Sequence, residues 1–193
     1  MGLKQVLLGS NASNALNASS VTFNYLVAGR NWDTTALGVT CVMCIPTSGT
    51  ISRLFVRLTA NVAAGGSYTF ALMKNGSPTA LTCTISAGAS TGSDTSNSIS
   101  FVAGDEVSLR CTPSGTPWTP YAAWTTLWES GIAGESICLI HSDFNALGVV
   151  DSPIQGGGAT GSTAQLAAPI LAGTFKKLYV GYAPPGPAAP DAY

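Results

Sequence analysis

The residue types that could carry chemistry cluster in a few short stretches of this sequence. His141-Ser142-Asp143 holds the three side chains of a hydrolase triad, and His141 is the only histidine in the chain. Consecutive residues of a strand point to alternate faces, so these three side chains cannot converge as a triad requires. We therefore expect no catalytic residue and no enzymatic activity.

The spacing of cysteine and histidine raises the question of a metal site. Two residues separate Cys41 from Cys44, and two separate Cys138 from His141. Zinc ligands at this spacing need a turn between them, whereas both segments are apolar, lack glycine and are typical of strands. The sequence therefore predicts no bound metal and no cofactor.

The five cysteines are better interpreted by the strand faces on which they fall. Cys83 and Cys111 alternate with apolar residues, which indicates either buried core thiols or a disulfide bond between the two. Cys44 falls on the more polar side of its strand, and Cys44 and Cys138 are candidate thiols at contacts between subunits. Because we find no targeting segment, reduced thiols of a cytoplasmic product are preferred.

Tryptophan and aspartate supply the remaining candidates for ligand contacts. The chain has four tryptophans, and Trp118 is the candidate glycan contact because it lies in a proline-rich loop where we expect exposure. Packing in a core or an interface is the commoner role of tryptophan. Asp94, Asp105 and Asp151 lie in predicted loops where calcium could bind, but they form no spaced acidic cluster.

The composition limits the partners of this chain. Charged residues make up 9% of its 193 residues, hydrophobic residues make up 46%, and the net charge is −1. A nucleic-acid-binding protein would carry a basic patch, and a membrane span needs about 20 consecutive apolar residues; the sequence has neither. Because so few charges protect a monomer poorly from association, we expect a surface rich in serine and threonine and covered by other subunits.

Hydrophobic periodicity predicts strands throughout the first two thirds of the chain. Residues 49–86 indicate three strands of an antiparallel meander, with Asn75-Gly76 at a tight hairpin turn. In the first of these strands, one face has Leu54, Val56 and Leu58, and the other has Arg53, Phe55 and Arg57. Further strands are predicted at residues 3–8, 21–27, 37–45, 98–102, 106–112 and 121–128, with a loop at 87–97. This pattern predicts an all-β fold, an antiparallel β-sandwich or jelly roll.

Part of the sequence recurs near the C-terminal end. Residues 173–180, Gly-Thr-Phe-Lys-Lys-Leu-Tyr-Val, resemble residues 49–56, Gly-Thr-Ile-Ser-Arg-Leu-Phe-Val. The second copy is truncated and too short to bury a core alone. We therefore divide the chain into a β-sandwich (1–130), a partial repeat that adds strands to a sheet edge (131–182), and an extended proline-rich arm (183–193).

The central motifs resemble a jelly-roll-like repeat of virion structural proteins from tailed bacteriophages. They include Ser-Tyr-Thr-Phe-Ala-Leu-Met-Lys-Asn-Gly, Thr-Ala-Leu-Thr-Cys-Thr-Ile-Ser and Ala-Gly-Asp-Glu-Val-Ser-Leu. The resemblance covers about residues 46–128, with a partial echo at 134–182. It implies an antiparallel β-sandwich of the jelly-roll type.

The resemblance also implies a role and a set of partners. It implies a virion structural protein, either a capsid decoration or cement protein or a head-fibre component that makes protein–protein contacts. The alternative is a tail fibre or a module that binds a receptor or a host surface glycan. The expected partners are other virion proteins and further copies of the chain, in a trimer by analogy with other jelly-roll virion proteins. The candidate contact residues are Arg53, Phe55, Arg57 and Tyr179.

Overall fold

The computed structural model describes residues 2–11, 14–27, 31–34, 41–137 and 139. In these residues the chain forms nine strands and no helix, which confirms the expected all-β fold. The strands are β1 (Lys4–Asn11), β2 (Thr22–Asn24), β3 (Met43–Cys44), β4 (Gly49–Leu58), β5 (Ser67–Lys74), β6 (Ser77–Ser86), β7 (Thr91–Phe101), β8 (Glu106–Ser114) and β9 (Ala122–Ser130).

The strands form two antiparallel sheets that pack on one hydrophobic core. The four-stranded sheet has the order β1-β9-β4-β7, and the five-stranded sheet has the order β2-β8-β5-β6, with β3 also paired to β8. Since β2 and β3 pair with different parts of β8, they lie end to end along the same edge of that strand. Inward side chains of both sheets share this core, so the fold is β-sandwich-like.

A bulge in β4 decides which of its side chains point outward. Gly49 and Ile51 are buried, and strict alternation would place Arg53 on the same inward face. The register with β7 and β9 shifts at this point, and Arg53 has a φ of 57°. A bulge of this kind inserts one residue and changes which face the following residues occupy. As a result Arg53 is exposed, and Leu54 and the alternate residues after it face the core.

Strands β6 and β7 close one side of the sandwich. The carboxylate of Asp94 in β7 accepts a hydrogen bond from the Thr82 amide of β6 at 3.0 Å. The two strands approach closely because Gly92 has no side chain; a Cβ at this position would lie 2.8 Å from Cγ1 of Ile85. These contacts join the edge strands of the two sheets.

The opposite side is closed beside β1 by the chain that follows β9. The side chain of Gln5 donates to the Ile137 carbonyl at 2.7 Å and accepts from the Ile137 amide at 3.2 Å. Ile137 and Leu139 pack in the core of the sandwich. The core therefore extends past residue 130, where the sequence predicted a domain boundary. The rest of the predicted partial repeat, from residue 140, and the predicted arm (183–193) lie outside the described residues.

A polar cluster fastens the β5–β6 hairpin to the β7–β8 turn. Lys74 and Asp105 form an ion pair at 3.0 Å, and the Asn75 side chain donates to Asp105 at 2.7 Å and accepts from the Glu106 amide at 2.7 Å. Asn75 and Gly76 have φ angles of 49° and 76°, as the predicted tight turn requires. The hairpin turn thus packs against the neighbouring turn.

Four features differ from the sequence prediction. The predicted meander at residues 49–86 is wrong, because β4 pairs with β7 and β9 in one sheet whereas β5 and β6 belong to the other. Residues 91–97, expected in a loop, belong to strand β7, whose serine and threonine side chains face solvent at the edge of a sheet. The strand predicted at 21–27 is reduced to the three residues of β2. In the stretch predicted as a strand at 37–45, only Met43 and Cys44 pair with β8, and residues 37–40 lie outside the described residues.

Candidate interaction surfaces

The outer face of the four-stranded sheet points away from the core and carries three exposed apolar side chains. Val6 and Leu8 of β1 are 58% and 59% exposed, and Phe55 of β4 is 47% exposed. The alternation of each strand positions them, because Leu7, between Val6 and Leu8, and Val56, next to Phe55, face the core. Apolar side chains of this size on the outside of a sheet indicate a contact surface when they are contiguous.

Strand register makes these side chains contiguous. Thr125 of β9 is the partner of Leu8 on one side and of Phe55 on the other. Leu127 is likewise the partner of Val6 on one side and of Ser52 on the other. Directly opposed residues have Cβ atoms about 5 Å apart, so the two rows form one surface. We call it the apolar face; it consists of Val6, Leu8, Ser52, Phe55, Thr125 and Leu127.

Charged side chains lie beside the apolar face. Arg53 and Arg57 are exposed next to Phe55, and a shallow depression of about 450 Å³ is lined by Phe55, Arg57 and neighbouring residues of β7 and β9. At the far end of the sheet, Lys4 and Glu129 form an exposed ion pair at 3.6 Å, which contributes little stability. Arg53, Phe55 and Arg57 therefore share one surface, whereas Tyr179 lies outside the described residues.

Trp118 is the most exposed large apolar side chain among the described residues, at 71%. Its backbone is fixed, because the Tyr68 hydroxyl donates to the Trp118 carbonyl at 2.6 Å. Burial, followed by the influence of Cys111, raises the pKa of Tyr68 to about 12, so its hydroxyl keeps the donated proton at neutral pH. Gly66 packs against Pro117 so closely that a Cβ would lie 2.9 Å from the proline Cα. The loop therefore presents an exposed indole on a well-supported backbone.

The cysteines of β6 and β8 are free and buried. Cys83 and Cys111 are register partners of Phe70 on opposite sides of β5. Two strand spacings, about 9.5 Å, separate them, and a disulfide bond needs Cα atoms within about 7 Å. The predicted alternative of a disulfide is therefore wrong, and these residues are core thiols. Burial raises the pKa of Cys83 to about 12 and that of Cys111 further, so both thiols are protonated.

Cys41 and Cys44 are the other candidate cysteines within the described residues. Cys41 is buried in a small cluster with Phe23 and Met73. Cys44 is partly exposed, and burial, followed by the nearby Glu106, raises its pKa. Within the described residues, no group of three or more histidine, cysteine or acidic side chains could hold a metal ion. Cys138 and residues 141–143 of the triad-like stretch lie outside that part of the chain.

The two described candidate calcium ligands hold the fold together instead. Asp94 accepts hydrogen bonds from the amides of Ser96 and Asn97 at 3.0 and 3.1 Å, in addition to that of Thr82. Burial alone would raise the pKa of Asp94, but these bonds and the Asn97 side chain outweigh it and lower the pKa. Asp105 belongs to the polar cluster at the hairpin. Asp151 lies outside the described residues.

No protein-family model matches this chain, and no curated protein matches it either. In the portion that the structure describes, we find no helix with the length and apolar character that a bilayer span requires. Function is therefore inferred from the surfaces that the chain presents.

Proposed function

We propose that this chain is a bacteriophage virion structural protein, either a capsid decoration or cement protein or a head-fibre component. In this role it makes protein–protein contacts and performs no catalysis. Its partners are further copies of the chain, in a trimer by analogy with other jelly-roll virion proteins, and other proteins of the particle. It acts in the virion after synthesis in the host cytoplasm.

The strand order supports a jelly-roll topology for the sandwich. A jelly roll has eight strands in two sheets and is common in viral capsid proteins and lectins. With β2 and β3 end to end, each sheet here has four strand positions. Consecutive positions alternate between the two sheets except at the β5–β6 hairpin, which stays within one sheet. The order supports this topology independently of the sequence motifs.

The apolar face is the observation that carries the proposed contact role. Val6, Leu8 and Phe55 form a contiguous exposed surface on a chain with only 9% charged residues. Contiguous exposed apolar surface marks interaction sites on folded proteins, and interface centres are depleted of charge and enriched in aromatic residues. Phe55 with Arg53 and Arg57 at its border fits that pattern.

The test is a cryo-EM reconstruction of the parent particle. The proposal predicts ordered copies of the sandwich on the particle, each with its apolar face turned toward a neighbouring protein. Mass spectrometry of the same purified particles provides the control, because it detects the chain even where its copies are not symmetrically arranged. A purified particle that contains none of the chain would contradict the proposal.

A second candidate function is a tail fibre or a module that binds a receptor or glycan. The observation that favours it is Trp118, because an indole that is 71% exposed on a supported loop is available to a ligand. Exposed tryptophans dominate the binding energy of many contacts. Binding of oligosaccharides or host cells that is lost on Trp118→Ala would favour this function over the cement role.

A further inference from the structure

Strand β1 lies at the edge of the four-stranded sheet and has few of the features that normally protect such an edge. Among the described residues it pairs only with β9, over all eight of its residues and without a shift of register. It contains no proline, and its single charged residue, Lys4, lies at one end. Edge strands are commonly protected by prolines, bulges or charged side chains, because their free main-chain groups can pair with another strand.

The register with β9 shows which main-chain groups of β1 point away from the sheet. The Ser130 amide donates to the Leu3 carbonyl at 3.0 Å. Along an antiparallel ladder, hydrogen-bonded pairs of residues alternate with pairs that are not bonded to each other. Every second residue from Leu3 onward therefore bonds to β9, and the N–H and C=O groups of the residues between them point outward. These residues are Lys4, Val6, Leu8 and Ser10.

The outward main-chain groups of β1 are unpaired within the described residues. No hydrogen bond from a turn, a loop or a second neighbouring strand reaches them there. The chain that closes the sandwich beside β1 is held by the side chain of Gln5, which bonds to both main-chain groups of Ile137. That contact uses no main-chain group of β1, so the edge is a template for an added strand.

A second copy of β1 fits this edge in the antiparallel direction. When Leu7 lies on the twofold axis, Val6 is opposite Leu8 of the second copy, and Lys4 is opposite Ser10 of the second copy. Each of these pairs can exchange two main-chain hydrogen bonds, so this register uses every outward residue of both strands. A twofold contact presents the same surface on both copies, which a self-complementary strand provides.

The side chains of β1 suit the same register. Val6 and Leu8 are 58% and 59% exposed, and they would meet on the outer face, where opposed apolar side chains stabilise a pair of strands. The Lys4 ammonium would lie opposite a serine and not opposite a second Lys4, which keeps like charges apart. Both features favour a second copy of this chain over an unrelated strand.

We propose that β1 pairs with β1 of a second copy in this antiparallel register and joins the two four-stranded sheets into one continuous sheet. The apolar face continues across the joint, because Val6 and Leu8 belong to it. A twofold contact joins only two chains, so in a trimeric assembly it links chains of different trimers. The inference rests on the self-association in the proposed function and adds a contact made by main-chain groups.

Amide hydrogen exchange of the full chain, followed by NMR below and above the association concentration, tests this edge. In the dilute state the Leu7 amide, which bonds to β9, should exchange slowly, and the Val6 and Leu8 amides should exchange rapidly. On association the Val6 and Leu8 amides should exchange about tenfold more slowly or less, because main-chain hydrogen bonds protect them. A contact made by side chains alone would leave the alternation unchanged.

Proline and alanine at Ser10 form a matched pair of variants. Ser10→Pro removes an outward N–H without removing a hydrogen bond to β9. It should weaken association through this edge by about tenfold or more, because a twofold pair loses the bond twice. Ser10→Ala keeps the N–H and should associate as the wild type does. Sedimentation equilibrium measures the constants, and thermal unfolding checks that both variants are folded.

Three results would overturn the edge contact. They are Val6 and Leu8 amides that exchange equally fast in both states, amides already protected in the dilute state by another segment of the same chain, or equal association of the two folded Ser10 variants. Phe55→Asp separates this inference from the proposed contact role, since Phe55 lies outside β1. Association that Phe55→Asp abolishes, with the β1 amides of the wild type unprotected, would keep the apolar face as the contact and remove the edge.

Discussion

The outer faces of the two sheets both carry apolar side chains, but only one of them is covered by other residues of the described part of the chain. On the five-stranded sheet, Met73 is buried against Phe23 and Cys41. On the four-stranded sheet, Val6, Leu8 and Phe55 remain exposed in the described structure. Among the described residues, apolar surface is thus buried on one side and exposed on the other.

The covering residues of the first face come from the connection between β1 and β4. Phe23 lies in β2, and Cys41 precedes β3, so the same connection that completes the five-stranded sheet also covers its outer face. The uncovered remainder of that face is polar, as shown by the hydroxyls of Thr69 and Thr84, 2.9 Å apart. This difference is the basis for the proposal that the four-stranded sheet contacts another protein.

The largest expected effect comes from placing a charge on each face in turn. Met73→Asp should lower the free energy of unfolding by about 3–5 kcal/mol, because it buries an unpaired carboxylate. Phe55→Asp should change it by no more than about 0.5 kcal/mol, since that side chain faces solvent. Urea unfolding measures both values. Equal losses in the two variants would remove the distinction between a covered and an open face.

For self-association, we expect the opposite order, with the larger effect from a charge on the four-stranded sheet. Phe55→Asp and Val6→Asp should weaken it by about 30-fold or more, roughly 2 kcal/mol, because they place a charge in the apolar face. Thr84→Asp, on the exposed outer face of the other sheet, is the matched control and should leave association unchanged. Sedimentation equilibrium measures the constants. A wild-type chain that stays monomeric at micromolar concentration would argue against assembly through this face.

Acid pH should affect folding but not assembly. Burial alone would raise the pKa of Asp105, but hydrogen bonds from Val102, Asn75 and Lys74 and the charge of Lys74 lower it, and the pKa of Asp94 is also lowered. Their stabilisation is therefore fully present above the unfolded pKa of about 3.9 and is lost as pH falls through the folded pKa. Urea unfolding from pH 7 to 3 should show this loss.

The apolar face has no titrating group of its own, so association should be constant between about pH 5 and 8, where no ordinary aspartate or lysine titrates. In the Asp94→Asn variant, the free energy of unfolding should fall less steeply at low pH than in the wild type. An association constant that fell with pH in parallel with the free energy of unfolding would contradict this independence of assembly from folding stability.

The smallest effect concerns thiol reactivity. Iodoacetamide labelling of the native protein, read by peptide mapping, should leave Cys41 unmodified because the covered face buries it completely. Cys83 and Cys111 should also resist, since burial raises the pKa of each and the thiolate is the reactive form. Cys44 should react slowly. Rapid native labelling of Cys41 would show that the cover over the five-stranded sheet opens readily.

The sequence predicts the individual strands at the centre of the chain because their signals are local, but it does not predict that β4 belongs to a different sheet from β5 and β6. The alternation of residues 54–58 and the Asn75-Gly76 turn both depend on neighbouring residues alone, and both are confirmed. The first part of strand β7 was missed because residues 91–97 are mostly polar and only Asp94 among them is buried. The bulge at Arg53 arises from pairing with two other strands, which no local pattern contains.

The candidate surfaces, too, could be predicted from the sequence only where the signal is local. The sequence identified Phe55 with its two arginines from alternation, but it did not identify Val6 and Leu8. Val6, Leu7 and Leu8 are all apolar, so periodicity cannot tell which of them faces the core. A shallow groove likewise combines residues 14–18 with Trp32 and Thr119, which only the folded chain brings together.

Hydroxyl-radical footprinting below and above the association concentration tests the role of the apolar face most directly. Oxidation of Phe55 and Leu8 should fall several-fold on association, because interface side chains lose contact with solvent. Trp118 is an exposed side chain in the loop that precedes β9, outside that face, and its oxidation should stay unchanged. Equal oxidation of Phe55 in both states, with assembly present, would contradict the account.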